Sequence, residues 1–311
     1  MRAIAVESFE AGPVLLEVSV PEPGPGEVLV KVRHASVNGF DVVVAGGMVK
    51  DLMEHRFPFV LGKDFAGTVE AIGDGVSRVA VGDDVFGVLM REYIGDGTFA
   101  DFVVVPEAIG LTKIPSGLEQ SDAGVLGLAG SAAHASIEAI APSSGETVLI
   151  GGATGGVGAK AIQMAVARGA EVIATARPGE ESDFVKDLGA HHTVDYKGDL
   201  AAQVRSIRAD GVHAAVHLAG DGMEFADLVA GGGRFASTLG VGADQLGDRG
   251  LHATAVMAMP TAEVLDRLAA DVAAGTLRVA VQRTYKLEET PQAMKDFARG
   301  SLGKLAITIG V

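Results

Sequence analysis

A chain of 311 residues that is 48% hydrophobic and 21% charged has a globular composition, with length enough for two domains. It has no cysteine, which excludes disulfides, thiolate-bound zinc, iron–sulfur clusters and thiol catalysis together, and which fits a cytoplasmic setting. A net charge of −15 with no Lys/Arg cluster excludes the basic footprint of a nucleic-acid binder and serves solubility instead.

In chain order, the opening MRAIAVESFE reads as a strand entering a fold, without the charged–apolar–small order of a secretion signal. The turn-rich PEPGPGE precedes the clearest strand, Val28–Val32. Short strands follow at Gly67–Ile72, Asp84–Val88 and Phe99–Val105, punctuated by Gly, Pro and Asp. That spacing predicts a β sandwich or partly open barrel over residues 1–117. After Pro115 the period changes. Leu118–Ala141 reads as one helix with Ser121 and Asp122 at its start. Gly127, Gly130, His134 and Glu138 interrupt its apolar run, so it reads as a helix at a domain junction and not as a membrane span.

Strands and helices then alternate. Strands are expected at Val148–Ile150, Glu171–Ala174, His213–His217 and Arg234–Thr238, and helices at Val157–Arg168 and Glu181–Leu188. This alternation predicts an α/β domain over 118–260 with a parallel sheet and right-handed crossovers. In the helix Thr261–Ala274, Val264, Leu265, Leu268 and Val272 share one stripe. Strands near Val279 and Leu305–Ile309 make the tail, 261–311, β-rich and able to return to the first domain.

The stretch Thr147–Gly158, TVLIGGATGGVG, runs a strand into a glycine turn from which a helix leaves. Glycines let backbone approach a pyrophosphate, and the helix start aims free N–H groups at the anion. Ala153 replaces the middle glycine of G-x-G-x-x-G; the pattern met is G-x-x-G-x-x-G through Gly152, Gly155 and Gly158. In a chain with 43 glycines such a run says little alone, but its place between strand and helix points to a dinucleotide cradle, completed by Thr154, Gly156 and Val157. The next strand ends Ile173-Ala174-Thr175-Ala176-Arg177. A site for NAD puts a carboxylate about 20 residues on, to hold the ribose 2′-hydroxyl. The tip carries Arg177 and no carboxylate, which points to the 2′-phosphate of NADP(H); a solvent-exposed loop arginine is the plain alternative.

These residues resemble the zinc-free medium-chain dehydrogenase/reductase superfamily, in its NADPH:quinone oxidoreductase (zeta-crystallin-like) branch. The resemblance covers nearly the whole chain. It runs through Ala35-Ser36-Val37-Asn38 with Asp41, Pro58–Gly67, Val81–Gly87, Gly97–Phe102, the glycine loop, Leu188-Gly189-Ala190, Asp195-Tyr196, Gly232-Gly233-Arg234 and Gly303-Lys304. It implies a Rossmann parallel-sheet domain inserted in a GroES-like β-rich domain built from both chain ends. It also implies that Tyr196 lies near the 2′-phosphate, that Asn38 faces the nicotinamide side, and that Leu218, Ala219, Gly220, Leu239 and Gly240 follow strand tips beside the riboses. Several positions depart from the pattern. Glu181 stands where a lysine is frequent, Ala132 where a threonine is, with Ser131 beside it, and His217 where an acid is common. The segment Leu89–Asp96, with Arg91 and Tyr93, is not standard and is a candidate for substrate choice.

Zinc-dependent members use Cys and His ligands; here Lys63-Asp64 falls near the histidine position. None of the eight histidines forms an H-E-x-x-H pattern, and the adjacent pair His191-His192 reads as surface, so no metal is expected. No G-x-S-x-G elbow supports a serine hydrolase. Tyr93 and Tyr196 are candidate proton donors, with Asp41 as an orienting group; Tyr196 is better explained by cofactor binding and Asp41 reads more often as a structural hydrogen-bonding residue, which leaves Asn38 and Tyr93 as the candidate catalytic residues. The resemblance implies NADPH-dependent, zinc-independent hydride transfer to a quinone or other conjugated carbonyl. An enoyl, enone or 2-alkenal reductase and a non-catalytic NADPH-binding protein are the alternatives. The implied partners are a small-molecule electron acceptor and, through a sheet edge near Leu251–Met257, a second copy in a homodimer; no nucleic acid or membrane partner is expected.

Overall fold

In the strand Glu27–Ser36, Val28, Val30 and Val32 are buried while Lys31 and Arg33 alternate outward, the period that one covered sheet face demands. This strand anchors a seven-stranded sheet in the computed structural model, which describes residues 1–310. Asp64–Ile72 and Phe102–Pro106 pair with it antiparallel, and so does Lys304–Thr308 from the far end of the chain. Val281–Lys286 adds to Lys304–Thr308 in parallel at the edge. Phe59, Phe65, Leu89, Phe99 and Ile307 fill the core beneath. Both chain ends therefore build one unit, Met1–Leu128 with the chain from Pro260 onward.

The second unit, Ala129–Met259, is a six-stranded parallel sheet. Its strands are, in chain order, Thr147–Gly151, Glu171–Thr175, His192–Val194, Val212–His217, Val229–Ser237 and His252–Ala255. Numbered in that order they lie 3-2-1-4-5-6 across the sheet, so the winding reverses between the first and fourth. Helices Gly156–Ala167 and Glu180–Asp187 follow the first two strands. Ligands of such sheets bind at the carboxyl ends of the strands that flank the reversal. Among the described residues no helix is long and apolar enough to cross a membrane.

The helix expected over Leu118–Ala141 is two helices, Gln120–Ala123 and Gly127–Ile140. A Cβ at Gly124 would lie 2.5 Å from the His34 Cβ, and one at Gly127 2.8 Å from Val88, so the two glycines let this stretch lie close on the first unit's strands. The Leu128 N–H donates to Asp64 Oδ1 at 2.7 Å. For that reason the first unit extends to Leu128 and not only to 117. The tail expected to be β-rich also holds a helix, Thr290–Phe297, with Pro291 in its first turn. Short helices at Gly39–Ala45, Leu200–Ile207 and Gly222–Ala226 were not signalled by periodicity; in the first, Val42-Val43-Val44 is a β-branched run that reads as strand.

Candidate functional site

The glycine loop sits at the carboxyl end of Thr147–Gly151, beside the winding reversal. Gly152 takes φ +68°, a conformation that favours glycine, and its N–H donates to Thr175 Oγ1 at 3.0 Å. Thr175 thus braces the loop from the neighbouring strand tip. A Cβ at Gly152 would meet Ala219 Cβ at 3.1 Å and Leu218 at 3.2 Å, so the tip of the fourth strand backs the turn. Gly158 lies tighter: a Cβ there would sit 2.4 Å from the Gly152 carbonyl oxygen and 2.6 Å from Ala153 Cα. Gly155 is different, with only the Gly152 oxygen at 3.5 Å, and faces open space. It caps the helix Gly156–Ala167 with no side chain on the first-turn N–H groups. Thr154 and Val157 are half-buried beside it. Helix start, backbone donors and an open approach combine into an anion cradle.

At the second strand's tip the structure corrects the expectation of a tip without a carboxylate. Gly179, at φ +93°, turns the chain so that Glu181 reaches back. Its Oε2 accepts from the Arg177 backbone N–H at 2.8 Å, and its Oε1 from Arg177 Nε at 2.8 Å and the Tyr196 hydroxyl at 3.3 Å. Arg177 and Tyr196 are thus brought together, around an acid. Burial pushes the Glu181 carboxyl up, but the Arg177 contacts hold it below the usual carboxylate range. The signal was in the sequence: arginine and glutamate four apart across a helix start.

Further tips complete the sheet's upper edge. His217 is buried and satisfied, with Nδ1 at 3.0 Å from Ser237 Oγ and Nε2 at 3.1 Å from the Gly220 carbonyl, so it is part of the core. Leu239 is exposed, its N–H donating to Ser237 Oγ, and Gly240 takes φ +77°. Ser131 is 1% exposed and its Oγ has no hydrogen-bond partner. A buried hydroxyl left unpaired is costly, and Ser131 shares that state with Thr98 of the first unit.

The first unit carries a buried polar cluster that sequence reasoning only half found. Asp64 accepts from Ser36 Oγ, from Asn38 Nδ2 at 2.9 Å and from the Lys304 ammonium at 3.4 Å. Lys304 also donates to the Val37 carbonyl at 3.0 Å and to Asn38 Oδ1. Asn38 is therefore held among Ser36, Asp64 and Lys304, which makes it a positioning residue and not one placed to react. Asp41 accepts from the Asn38 N–H at 2.8 Å; burial pushes its carboxyl up to about 7. Beside it Lys63 donates to the Leu89 carbonyl at 3.1 Å, with its ammonium 5.1 Å from the Phe40 ring centre. Burial lowers its pKa. Phe40, Asp41, Lys63 and Asp96 line a small recess of about 10 Å³, room for about one water. The Tyr93 hydroxyl donates to Asp96 at 2.7 Å, and the Arg56 guanidinium lies 3.6 Å from the Tyr93 ring centre. Arg91 is taken up by Glu27 at 2.7 Å and the Val104 carbonyl, a structural use.

The alcohol dehydrogenase GroES-like domain family matches residues 24–116, and the zinc-binding dehydrogenase family matches residues 188–307. The chain is 38% identical over 223 residues to a mycocerosic acid synthase-like polyketide synthase of Mycobacterium tuberculosis, covering 68% of this chain and 10% of that protein. It thus spans about a tenth of that relative's length. It is 34% identical over 227 residues to a chloroplastic quinone oxidoreductase of Triphysaria versicolor, covering 70% of this chain and 68% of that one. The quinone oxidoreductase structure from Coxiella burnetii matches with a TM-score of 0.90 at 26% identity, covering 100% of this chain and 99% of that one. A mycobacterial protein complexed with NADPH matches with a TM-score of 0.86 at 28% identity over 99% of both chains.

Proposed function

This chain belongs to the quinone oxidoreductase branch of the medium-chain dehydrogenase/reductase superfamily, and from that premise we propose that it is an NADPH-dependent, zinc-independent reductase of quinones or other conjugated carbonyls. The observation that carries the reading is the glycine cradle at the winding reversal of the 3-2-1-4-5-6 sheet. Gly152, Thr154, Gly155, Gly156, Val157 and Gly158 hold the pyrophosphate, with Thr175 bracing the loop. Arg177 and Tyr196 meet the adenosine ribose end, and Leu218, Ala219, Leu239 and Gly240 border the other ribose. The unpaired Ser131 hydroxyl supplies one further polar contact. Bound there, the nicotinamide supplies hydride to the acceptor. The mycobacterial relative's NADPH supports the same cofactor here.

Zinc, which the second family's description implies, does not fit these residues. The chain has no thiolate, and among the described residues no three His, Asp or Glu side chains gather where an ion could be held. The position beside Asp41 is taken by the cationic Lys63. Lacking a Lewis acid, the site suits acceptors that spread negative charge over a conjugated system. Hydride addition leaves an oxyanion that needs one proton. Lys63, on the recess with Asp41, and the Tyr93 hydroxyl are the candidate donors that substitution can test.

The test is an acceptor panel with NADPH near neutral pH: 1,4-quinones, enones, enoyl thioesters and simple secondary alcohols with NADP⁺. Quinones or enones should turn over much faster than any alcohol is oxidised, and Tyr93→Phe and Lys63→Met should each lower kcat on the best acceptor by about 10²-fold or more if that residue donates the proton. An alcohol oxidised faster than every activated acceptor refutes the reading. The 223-residue match within a polyketide synthase favours a second reading, reduction of an enoyl thioester or enone, and the same panel separates the two. A homodimer through the exposed edge strand His252–Ala255 is also part of the proposal.

A further inference from the structure

Glu181 occupies the centre of a group of donors that face the adenosine end of the cradle. Its side chain is 13% exposed, whereas that of Arg177 is 58% exposed, so the acid lies inside and the arginine outside. Arg177 Nη2 approaches Glu181 Oε1 at 2.6 Å, the Arg177 backbone N–H binds Oε2 at 2.8 Å, and the Tyr196 hydroxyl closes on Oε1 at 3.3 Å. Two ligand chemistries compete for this arrangement. A 2′-phosphate needs the Arg177 fork and the Tyr196 hydroxyl, and both already face a carboxylate. A free 2′-hydroxyl needs an acceptor, and a carboxylate oxygen that takes one backbone N–H keeps a lone pair for it.

We infer that Glu181 tunes cofactor choice in this protein: it stands in for the 2′-phosphate in the free site, offers an acceptor to a free 2′-hydroxyl, and narrows the margin by which NADPH is preferred over NADH. This rests on the dinucleotide reading of the cradle. Because the arginine end of the pair is open to solvent, its hold on Glu181 is modest and an incoming phosphate can draw Arg177 away. The carboxylate itself stays, ionised at neutral pH, and repels the phosphate at close range. Arg177 is thereby neutralised as a selector, and replacing it should cost little while Glu181 is present.

Calorimetry with adenosine 2′,5′-bisphosphate and adenosine 5′-monophosphate on the full chain tests this without turnover. Glu181→Gln should tighten the bisphosphate about tenfold, the scale of one close like-charge contact removed, and leave the monophosphate unchanged or slightly weaker. Arg177→Ala should cost the bisphosphate less than about threefold in the wild type but about tenfold in the Glu181→Gln background, since the fork is then free for phosphate. Thermal unfolding checks that each variant is folded. Equal shifts for both probes on Glu181→Gln, or an Arg177→Ala loss that is the same in both backgrounds, overturn the inference and leave the cradle standing. If neither probe binds any folded variant, the dinucleotide reading itself falls, and the inference with it.

Discussion

Gly158 has no side chain because none fits. A methyl there would meet backbone, not a flexible neighbour, at 2.4 and 2.6 Å. Gly158→Ala should cost about 1–3 kcal/mol of stability through overpacking and weaken nucleotide binding with it. Gly155→Ala is the contrasting substitution. Its methyl has only one oxygen at 3.5 Å, so melting should barely move while cofactor affinity drops, because the methyl stands on the open side of the cradle. Equal melting losses in the two variants would contradict that division of labour. Asp41 makes a pH prediction. Burial raises its folded pKa from 3.8 to about 7, with Asp64 adding repulsion and Lys304 and Lys63 opposing it. A carboxyl with a raised folded pKa is held more tightly as the acid in the native state than in the unfolded one. Its ionisation therefore removes stability as pH climbs from about 4 to about 7, and the loss is complete above that. Asp41→Asn, which keeps an acceptor for the Asn38 N–H, should gain on the wild type by about 1 kcal/mol or more at pH 8, on the order of 2–4 °C in Tm, and gain little at pH 4. Melting curves at the two pH values check the sign.

The strand Lys304–Thr308 carries the only buried lysine of the first unit's cluster among the described residues into a sheet begun some 270 residues earlier. Lys304→Met would strand Asp64 and the Asn38 amide without their cation. Breaking one side of a buried pair costs about 3–5 kcal/mol, so denaturant unfolding should shift by that amount, and the double variant with Asp64→Asn should recover part of it. The sequence carried the elements with strong period or motif: Val28–Val32, the glycine turn and the alternation that follows. It did not carry the break at Gly124–Leu126, because only the packed neighbours His34 and Val88 reveal why those glycines are there. Nor did it carry the cluster around Asp64, whose members come from residues 36, 38, 64, 128 and 304 and meet only in the fold. Arg177 was legible at the strand tip, Tyr196 through the resemblance and Glu181 as a departure from it, but that the three meet around the acid shows only in the fold, where the turn at Gly179 brings Glu181 back.

The parallel sheet of the second unit ends on His252–Ala255, whose outer edge pairs with no strand among the described residues. Just beyond it Met257 is 79% exposed and Met259 52% exposed, unusual placements for methionine. An open edge flanked by apolar side chains invites another strand, and the partner that causes no aggregation is the same edge of a second copy, related by a two-fold axis that closes the assembly. Light scattering at micromolar concentration should then give twice the chain mass. Each copy carries a net charge of −15, so association works against mutual repulsion, which salt screens. The dimer should therefore tighten as ionic strength rises from about 0.02 M to about 0.5 M, where the Debye length shrinks from roughly 20 Å to roughly 4 Å. Hydrophobic contact at the methionines predicts the same direction, whereas an interface built on ion pairs predicts the opposite. Met257→Asp combined with Met259→Asp should shift the equilibrium to monomer and leave cofactor affinity intact, because neither side chain belongs to the cradle. A wild-type protein that stays monomeric across this salt range would show that the edge is closed by something other than a second copy of itself.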